Sequence, residues 1–97
     1  MHRDDFVFTI GYDGDTAIVD KKAMKRYRKA TIPQLIESGH YRIAFCSALF
    51  DSDEPAMAEV LAAYNRGEDT HYTSTDDLKR LFGVYDVHND ISKAKAL

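Results

Sequence analysis

The chain has 97 residues, of which 44% are hydrophobic and 30% charged, and its formal net charge is -3. This length predicts a single domain over residues 1–97, and the apolar content is too high for a disordered chain. No apolar run reaches the ~20 residues that a membrane-spanning helix needs, and the acidic start MHRDDF is unlike a signal peptide. The single cysteine, Cys46, cannot form an internal disulfide, so we expect a cytoplasmic protein and no membrane partner.

The positive charge is concentrated in one short block. Residues 21–30 hold six bases and no acid, whereas acidic segments lie on both sides of this block. The six bases are Lys21, Lys22, Lys25, Arg26, Arg28 and Lys29. Such a cluster suits the phosphates of a nucleic acid or an acidic protein partner, and it equally suits a solvated helix face. The sequence alone leaves these three interpretations open.

The N-terminal part predicts a β-hairpin. The run FVFTIGYDGDTAIVD, residues 6–20, has two β-rich segments around Asp13-Gly14, a dipeptide favoured in type I′ turns. With this dipeptide at the turn centre, Phe8 pairs with Val19. Alternation along the strands then predicts five apolar side chains on one face: Phe6, Phe8, Ile10, Ala17 and Val19. The edges of a two-stranded sheet need cover or a second chain, which is a physical reason to expect a homodimer.

Two short helices are predicted after the hairpin. Asp20 can cap a helix over the basic block. The apolar residues of that block share one face: Ala23, Met24, Tyr27 and Ala30. The second helix begins at Thr31-Ile32-Pro33-Gln34, where threonine is a good N-cap, proline suits the first turn and Gln34 completes a capping box. Gly39 suits the left-handed residue that ends this helix.

The segment YRIAFCSALF, residues 41–50, fits two kinds of structure. Its apolar residues match the helical spacing i, i+3, i+4, i+7, i+8, but Tyr41 and Phe45 also fit the alternation of a strand. The Gly-x-Tyr-x-x-Ala spacing of residues 39–44 resembles the second helix of a tetratricopeptide repeat, without a second copy at the ~34-residue period. That resemblance implies a helix. We therefore favour a helix here, and a strand would instead give a small three-stranded sheet with helices.

A longer helix is predicted next. Ser52 or Asp53 can act as its N-cap, and Pro55 suits its first turn. The helical spacing of its apolar residues continues to about Asn65. Gly67 then lies beyond the predicted end.

The last predicted helix begins at Ser74-Thr75-Asp76-Asp77, which resembles a capping box with Asp in place of Glu. Its apolar stripe, interrupted at Gly83, consists of Leu78, Leu81, Phe82 and Tyr85. Residues 89–97 are polar and are predicted to form a frayed tail. Together, these elements predict an α+β fold in which an N-terminal β-hairpin packs on a mainly helical C-terminal part.

No motif in the sequence indicates a catalytic residue, a metal or a cofactor. Asp13 and Asp15 flank a glycine, and a second acidic group follows at residues 51–54, but turn formation and helix capping explain both groups. The histidines and the cysteine lack the spacing of a zinc site. Cys46 lies in the most apolar segment and is expected to be buried.

The function that this pattern favours is non-enzymatic. We expect a small cytosolic protein-interaction or adaptor module that binds a protein partner or associates with itself as a homodimer. The alternative is nucleic-acid binding through the basic helix, residues 21–29. A third hypothesis, a small enzyme, requires Asp13, Asp15 or His71 to converge on one cleft.

Overall fold

The computed structural model describes residues 1–88 and 90–97, and it shows the predicted α+β fold. A mixed sheet with the hairpin at its N-terminal side packs on helices that lie mostly in the C-terminal part. The elements in chain order are α1 Arg3–Val7, β1 Thr9–Asp13, β2 Thr16–Val19, α2 Lys21–Tyr27, α3 Ile32–Glu37, α4 Tyr41–Phe50, α5 Glu54–Glu68, α6 Thr75–Phe82 and β3 Lys93–Ala96. Among the described residues, every helix is too short or too polar to cross a membrane.

The hairpin forms as predicted, but its turn and its register differ from the prediction. The loop residues are Gly14-Asp15, and Gly14 has a φ of 61°, a conformation that glycine adopts without steric cost. A β-bulge at Ile10 then makes Thr9 the partner of Val19, so the predicted pairing of Phe8 with Val19 was wrong. Because a bulge redirects the side chains around it, Ile10 is 54% exposed instead of lying on the buried face.

The chain before β1 is helical, so the prediction of a strand that begins at Phe6 was also wrong. Helix α1 ends at Val7, and Phe8 is its C-cap. Phe6, Val7 and Phe8 are all buried. In a strand, alternation would point Val7 away from Phe6 and Phe8, whereas the end of a short helix can bury all three side chains.

The third strand comes from the C-terminal segment, for which the sequence predicted no strand. Strand β3 pairs in parallel with β2, and the strand order is β1-β2-β3. The ammonium nitrogen of Lys93 lies 3.4 Å from the carboxylate of Asp15 in the hairpin loop. The predicted frayed tail begins at Asn89, which lies outside the described residues.

Helix α4 lies at the centre of the molecule, which confirms the helical interpretation of residues 41–50. It packs against α1, α3 and α5. Five consecutive residues of α4 are buried: Ala44, Phe45, Cys46, Ser47 and Ala48. Three of them, Ala44, Phe45 and Ala48, belong to the main core, whose other members come from α3, α5 and α6. Since neighbours surround α4 on several sides, its sequence shows only a weak contrast between an apolar and a polar face.

The predicted starts of the helices hold in the structure. The Asp20 carboxylate accepts a hydrogen bond from the backbone N–H of Ala23 at 3.0 Å and caps α2. Thr31 and Gln34 form the predicted capping box of α3, with N···O distances of 2.8 and 3.3 Å. Asp53 caps α5 through the backbone N–H of Ala56, at 3.1 Å.

Two helix ends differ from the prediction in an instructive way. Helix α5 continues through Gly67 to Glu68 rather than ending near Asn65. The Tyr41 hydroxyl packs so closely on Gly67 that a Cβ at this position would require the Tyr41 side chain to move. Helix α6 ends at Gly83, which has a φ of 68°, and Tyr85 therefore lies beyond the helix and is exposed.

Candidate functional site

The structure places the six predicted bases together on one exposed region. We call Lys21, Lys22, Lys25, Arg26, Arg28 and Lys29 the basic surface; all six are exposed, and α2 has no buried residue. The half-buried apolar residues of α2 pack beneath them against the hairpin. The basic surface is therefore open to solvent and to a partner.

Few acidic groups neutralise the basic surface within the molecule. Arg28 forms an ion pair with Asp4 of α1, with an N···O distance of 3.2 Å. The other five bases form no ion pair with any residue that the structure describes. The Tyr27 ring next to these bases is half-buried and packs on His40 with ring centroids 4.3 Å apart.

The predicted acidic groups have structural roles. Asp13 and Asp15 are exposed at the tip of the hairpin, and Asp51 pairs with Arg3 at 3.2 Å. No group of three or more acidic, histidine or cysteine side chains suited to a metal ion occurs in the described part of the chain.

A cavity of about 510 Å³ lies between strand β1 and the segment that follows α6. We call it the Arg42 cavity; it is lined by residues 9–12, residues 82–86, Arg42 and His88. Four consecutive residues of β1 line it. Because β1 is the first strand of the sheet and β2 pairs with its other side, the free edge of the sheet faces this cavity. Asp13, Asp15 and His71 are not among the lining residues, so the convergence that the enzyme hypothesis requires is not seen at this cavity.

Arg42 of α4 joins the two walls of the cavity. Its Nε donates to the carbonyl oxygen of Phe82 at 3.3 Å, and its Nη1 donates to the carbonyl oxygen of Thr9. A guanidinium has five N–H donors, so three remain without a partner among the described residues. Nη2 has no partner among the described residues, and none of the described side-chain nitrogens is both buried and unpaired, so Nη2 is accessible to solvent. The two hydrogen bonds thus hold the guanidinium in one orientation, and its remaining N–H donors have no partner among the described residues.

The buried Thr9 side chain holds the bulge that shapes this edge. The backbone N–H of Gly11 donates to Thr9 Oγ1 at 3.3 Å, and the hydroxyl lies 2.9 Å from the Gly11 carbonyl oxygen. These bonds satisfy backbone groups that the interrupted ladder leaves free. As a result, Ile10 and Tyr12 are exposed beside the cavity.

The two walls of the Arg42 cavity also touch at a second place, away from Arg42. The rings of Tyr12 and His88 make an edge-to-face contact, with centroids 5.1 Å apart and planes at 83°. Burial raises the pKa of Tyr12, an effect that the Cys46 thiol reinforces and Arg42 opposes. The phenol is therefore neutral at physiological pH and can donate a hydrogen bond.

The exposed apolar residues of the molecule gather near this cavity. Among the described residues, the large exposed apolar side chains are Ile10, Tyr12, Leu81, Tyr85 and Leu97. Three of these five line the cavity, and Leu81 directly precedes a lining residue. A clustered apolar surface of this kind marks an interaction site more often than isolated apolar residues do.

Sequence reasoning missed Arg42, although one signal pointed to it. Arg42 is the single base between residues 30 and 65, and it lies inside the most apolar segment of the chain. A lone charge in an apolar helix needs a polar partner or a route to solvent. The partners, two backbone carbonyls from distant segments, could be found only in the folded structure.

Comparison with protein-family models, with curated proteins and with solved structures found no match to this chain. The local resemblance of residues 39–44 to a tetratricopeptide-repeat helix concerns the beginning of α4. That segment is helical from Tyr41, as the resemblance implied.

Proposed function

We propose that this chain is a protein-interaction module whose partner binds at the Arg42 cavity and along the edge of β1. The observation that carries this proposal is the coincidence of three features at one place. Exposed apolar side chains, a cavity and a free strand edge lie together. Partner peptides commonly use such features, since a strand edge supplies backbone hydrogen bonds and neighbouring pockets supply side-chain specificity.

The nature of the lining supports binding rather than chemistry. Ile10, Phe82 and Val84 offer apolar contact area, while Arg42 offers one oriented group of donors. A predominantly apolar cavity with a few placed polar groups is the usual composition of a ligand-binding site. The expected localisation remains the cytoplasm.

The experiment that tests the proposal is selection of binders from a random-peptide display library on the immobilised protein. The affinity of the selected peptides is then measured for the wild-type protein and for Ile10→Glu, which places a charge on the cavity wall. Leu97→Glu is the matched control, because Leu97 is also exposed and apolar but does not line the cavity. We expect Ile10→Glu to weaken binding at least about tenfold, the effect of about 1.4 kcal/mol, and Leu97→Glu to leave it unchanged. Equal binding to all three proteins would refute the proposal.

The same two variants test whether the partner is a second copy of this chain. A homodimer joined through two β1 edges would dissociate on Ile10→Glu and persist on Leu97→Glu. Sedimentation equilibrium measures this directly. A monomeric wild-type protein at high micromolar concentration would exclude self-association and leave a different protein as the partner.

Nucleic-acid binding through the basic surface is a second candidate. The observation that favours it is that five exposed bases have no ion pair in the described part of the chain. If all six bases contact phosphates, affinity should fall roughly 10³-fold between about 50 and 200 mM salt.

Fluorescence anisotropy with generic duplex and single-stranded oligonucleotides tests this second candidate. The double variant Lys25→Glu with Arg26→Glu should abolish binding. Arg66→Glu with Lys95→Glu, which makes the same change in net charge elsewhere on the surface, should retain it. Absence of binding at the lower salt concentration would remove nucleic acid as a partner.

A further inference from the structure

We infer that the Arg42 cavity binds the C-terminal carboxylate of a partner peptide, together with an apolar side chain next to it. This inference rests on the proposed function, because it names the class of ligand for the same cavity. Four features of the cavity support it: the unpartnered donors of Arg42, the blocked end of the β1 edge, the two contacts that join the cavity walls, and the lack of an ion pair between Arg42 and Asp86 in the described structure.

The donors of Arg42 suit a carboxylate. Two of the five N–H groups hold backbone carbonyls on opposite walls, so the guanidinium plane is fixed before a ligand arrives. The accessible Nη2 can then donate to a carboxylate oxygen, and hydrogen bonds between two charged groups are the stronger kind. A fixed guanidinium also loses little side-chain freedom when the ligand binds.

The β1 edge is blocked where Arg42 meets it. The Thr9 carbonyl accepts its hydrogen bond from Arg42 and is therefore not available to an added strand. A peptide that pairs with β1 in the antiparallel direction runs toward Thr9. Its last residue then arrives beside the guanidinium, and the carboxylate takes the place where the ladder of hydrogen bonds stops.

The shape of the cavity favours a chain end over a continuous segment. Arg42 joins its walls at one place, and the contact of Tyr12 with His88 joins them at another. The volume of about 510 Å³ suits a ligand the size of one or two peptide residues. A chain that passes through would have to displace one of these contacts.

The charged groups of the lining leave Arg42 available to an anion. Arg42 is the single arginine or lysine among the described lining residues. Asp86 is the single carboxylate there; it is exposed and forms no ion pair with Arg42 in the described structure. The apolar lining residues, among them Ile10 and Val84, would contact the side chain next to the carboxylate.

The test compares three probes by NMR titration of the full chain: acetyl-Ala-Ala-Leu with a free carboxylate, the same peptide as a C-terminal amide, and acetyl-leucine. We expect the peptide acid to bind at least tenfold more tightly than the amide and than acetyl-leucine. In Arg42→Gln the preference for the acid should vanish, while the control Arg66→Gln should keep it.

A second measurement keeps the inference testable if Arg42→Gln does not fold. In the wild-type protein, the Arg42 side-chain N–H resonances should shift with the peptide acid and not with the amide. Equal binding of acid and amide at the cavity would overturn the inference and leave the proposed function standing. If acetyl-leucine binds as tightly as the peptide acid, the inference that the ligand is a peptide is overturned, because a small carboxylate would then suffice. If no probe binds and no displayed peptide depends on Ile10, both proposals fail.

Discussion

Helices α2 and α4 carry their basic residues in opposite ways. On and just after α2, six bases are exposed to solvent, and no residue of the helix is buried. On α4, one base lies beside a run of five buried residues, and two backbone carbonyls hold it in place. The charges on α2 are screened within about 8–10 Å at ordinary salt concentration, whereas the half-buried guanidinium of Arg42 is screened less.

The number of charges therefore does not identify the more specific site. A cluster of exposed bases attracts any anionic surface, with an affinity that depends on salt. A single base in a fixed direction can select one geometry of ligand. The following predictions test how far the two helices differ in their importance for the fold.

The largest expected effect comes from the buried side of α4. Phe45 is 0% exposed, and its ring lies 5.8 Å from that of Phe82. Phe45→Ala should lower the free energy of unfolding by about 3–5 kcal/mol, because it removes apolar contacts and leaves a cavity. Urea denaturation measures this loss. Lys22→Ala on α2 should change stability by less than about 0.5 kcal/mol, and similar losses in the two variants would contradict the comparison.

The thiol of Cys46 gives a pH-dependent effect on the same helix. Burial raises the pKa of Cys46 from 9.0 to about 11, although Arg42 opposes this rise. Between these pH values the unfolded chain releases the thiol proton and the folded chain keeps it, so stability should fall as the pH rises. The loss that is due to Cys46 should approach about 2–3 kcal/mol.

The control for this effect is Cys46→Ala, which removes the thiol and leaves the other groups that titrate at alkaline pH. Urea denaturation of both proteins between pH 8 and 11 isolates the contribution of Cys46. The difference in stability between the two proteins should shrink as the pH rises. A constant difference would mean that the thiol does not titrate differently in the folded and unfolded states.

On helix α2, the N-cap should contribute more to the stability of the protein than the exposed bases do. Asp20 caps α2 through the backbone N–H of Ala23. Asp20→Ala should therefore cost about 1 kcal/mol, while Asp20→Asn, which can still accept this bond, should cost much less. Urea denaturation gives both values. Equal losses in the two variants would show that charge, and not capping, is the contribution of Asp20.

The sequence predicted those parts of the fold that depend on local signals. The caps at Asp20 and Thr31, the helical state of residues 41–50 and the existence of the hairpin all follow from spacing and from residue preference. The turn position did not, because both Asp13-Gly14 and Gly14-Asp15 are acceptable turn dipeptides. Burial of Thr9 and the bulge at Ile10 selected the second alternative.

The remaining features depend on contacts between distant segments. Strand β3 forms because the exposed C-terminal segment meets the free edge of β2, although its lysines and alanines have low strand propensity. The Arg42 cavity depends on two carbonyls, those of Thr9 and Phe82, which are brought to one helix from both ends of the chain. The bases of the basic surface were visible in the sequence, but the sequence did not show that five of the six form no ion pair with a described residue.

The smallest expected effect on stability comes from the basic surface itself. Lys25→Glu with Arg26→Glu should change the free energy of unfolding by less than about 0.5 kcal/mol per substitution, since both side chains are exposed and neither forms an ion pair with a described residue. Arg66→Glu with Lys95→Glu provides the control for the change in net charge. The double variant on α2 could instead lose more stability than this, and the loss could disappear in about 1 M salt. That result would show that the basic surface is attracted to acidic groups elsewhere in the fold. A loss within the expected range leaves these bases free for a partner, which is the condition that any binding role of the basic surface requires.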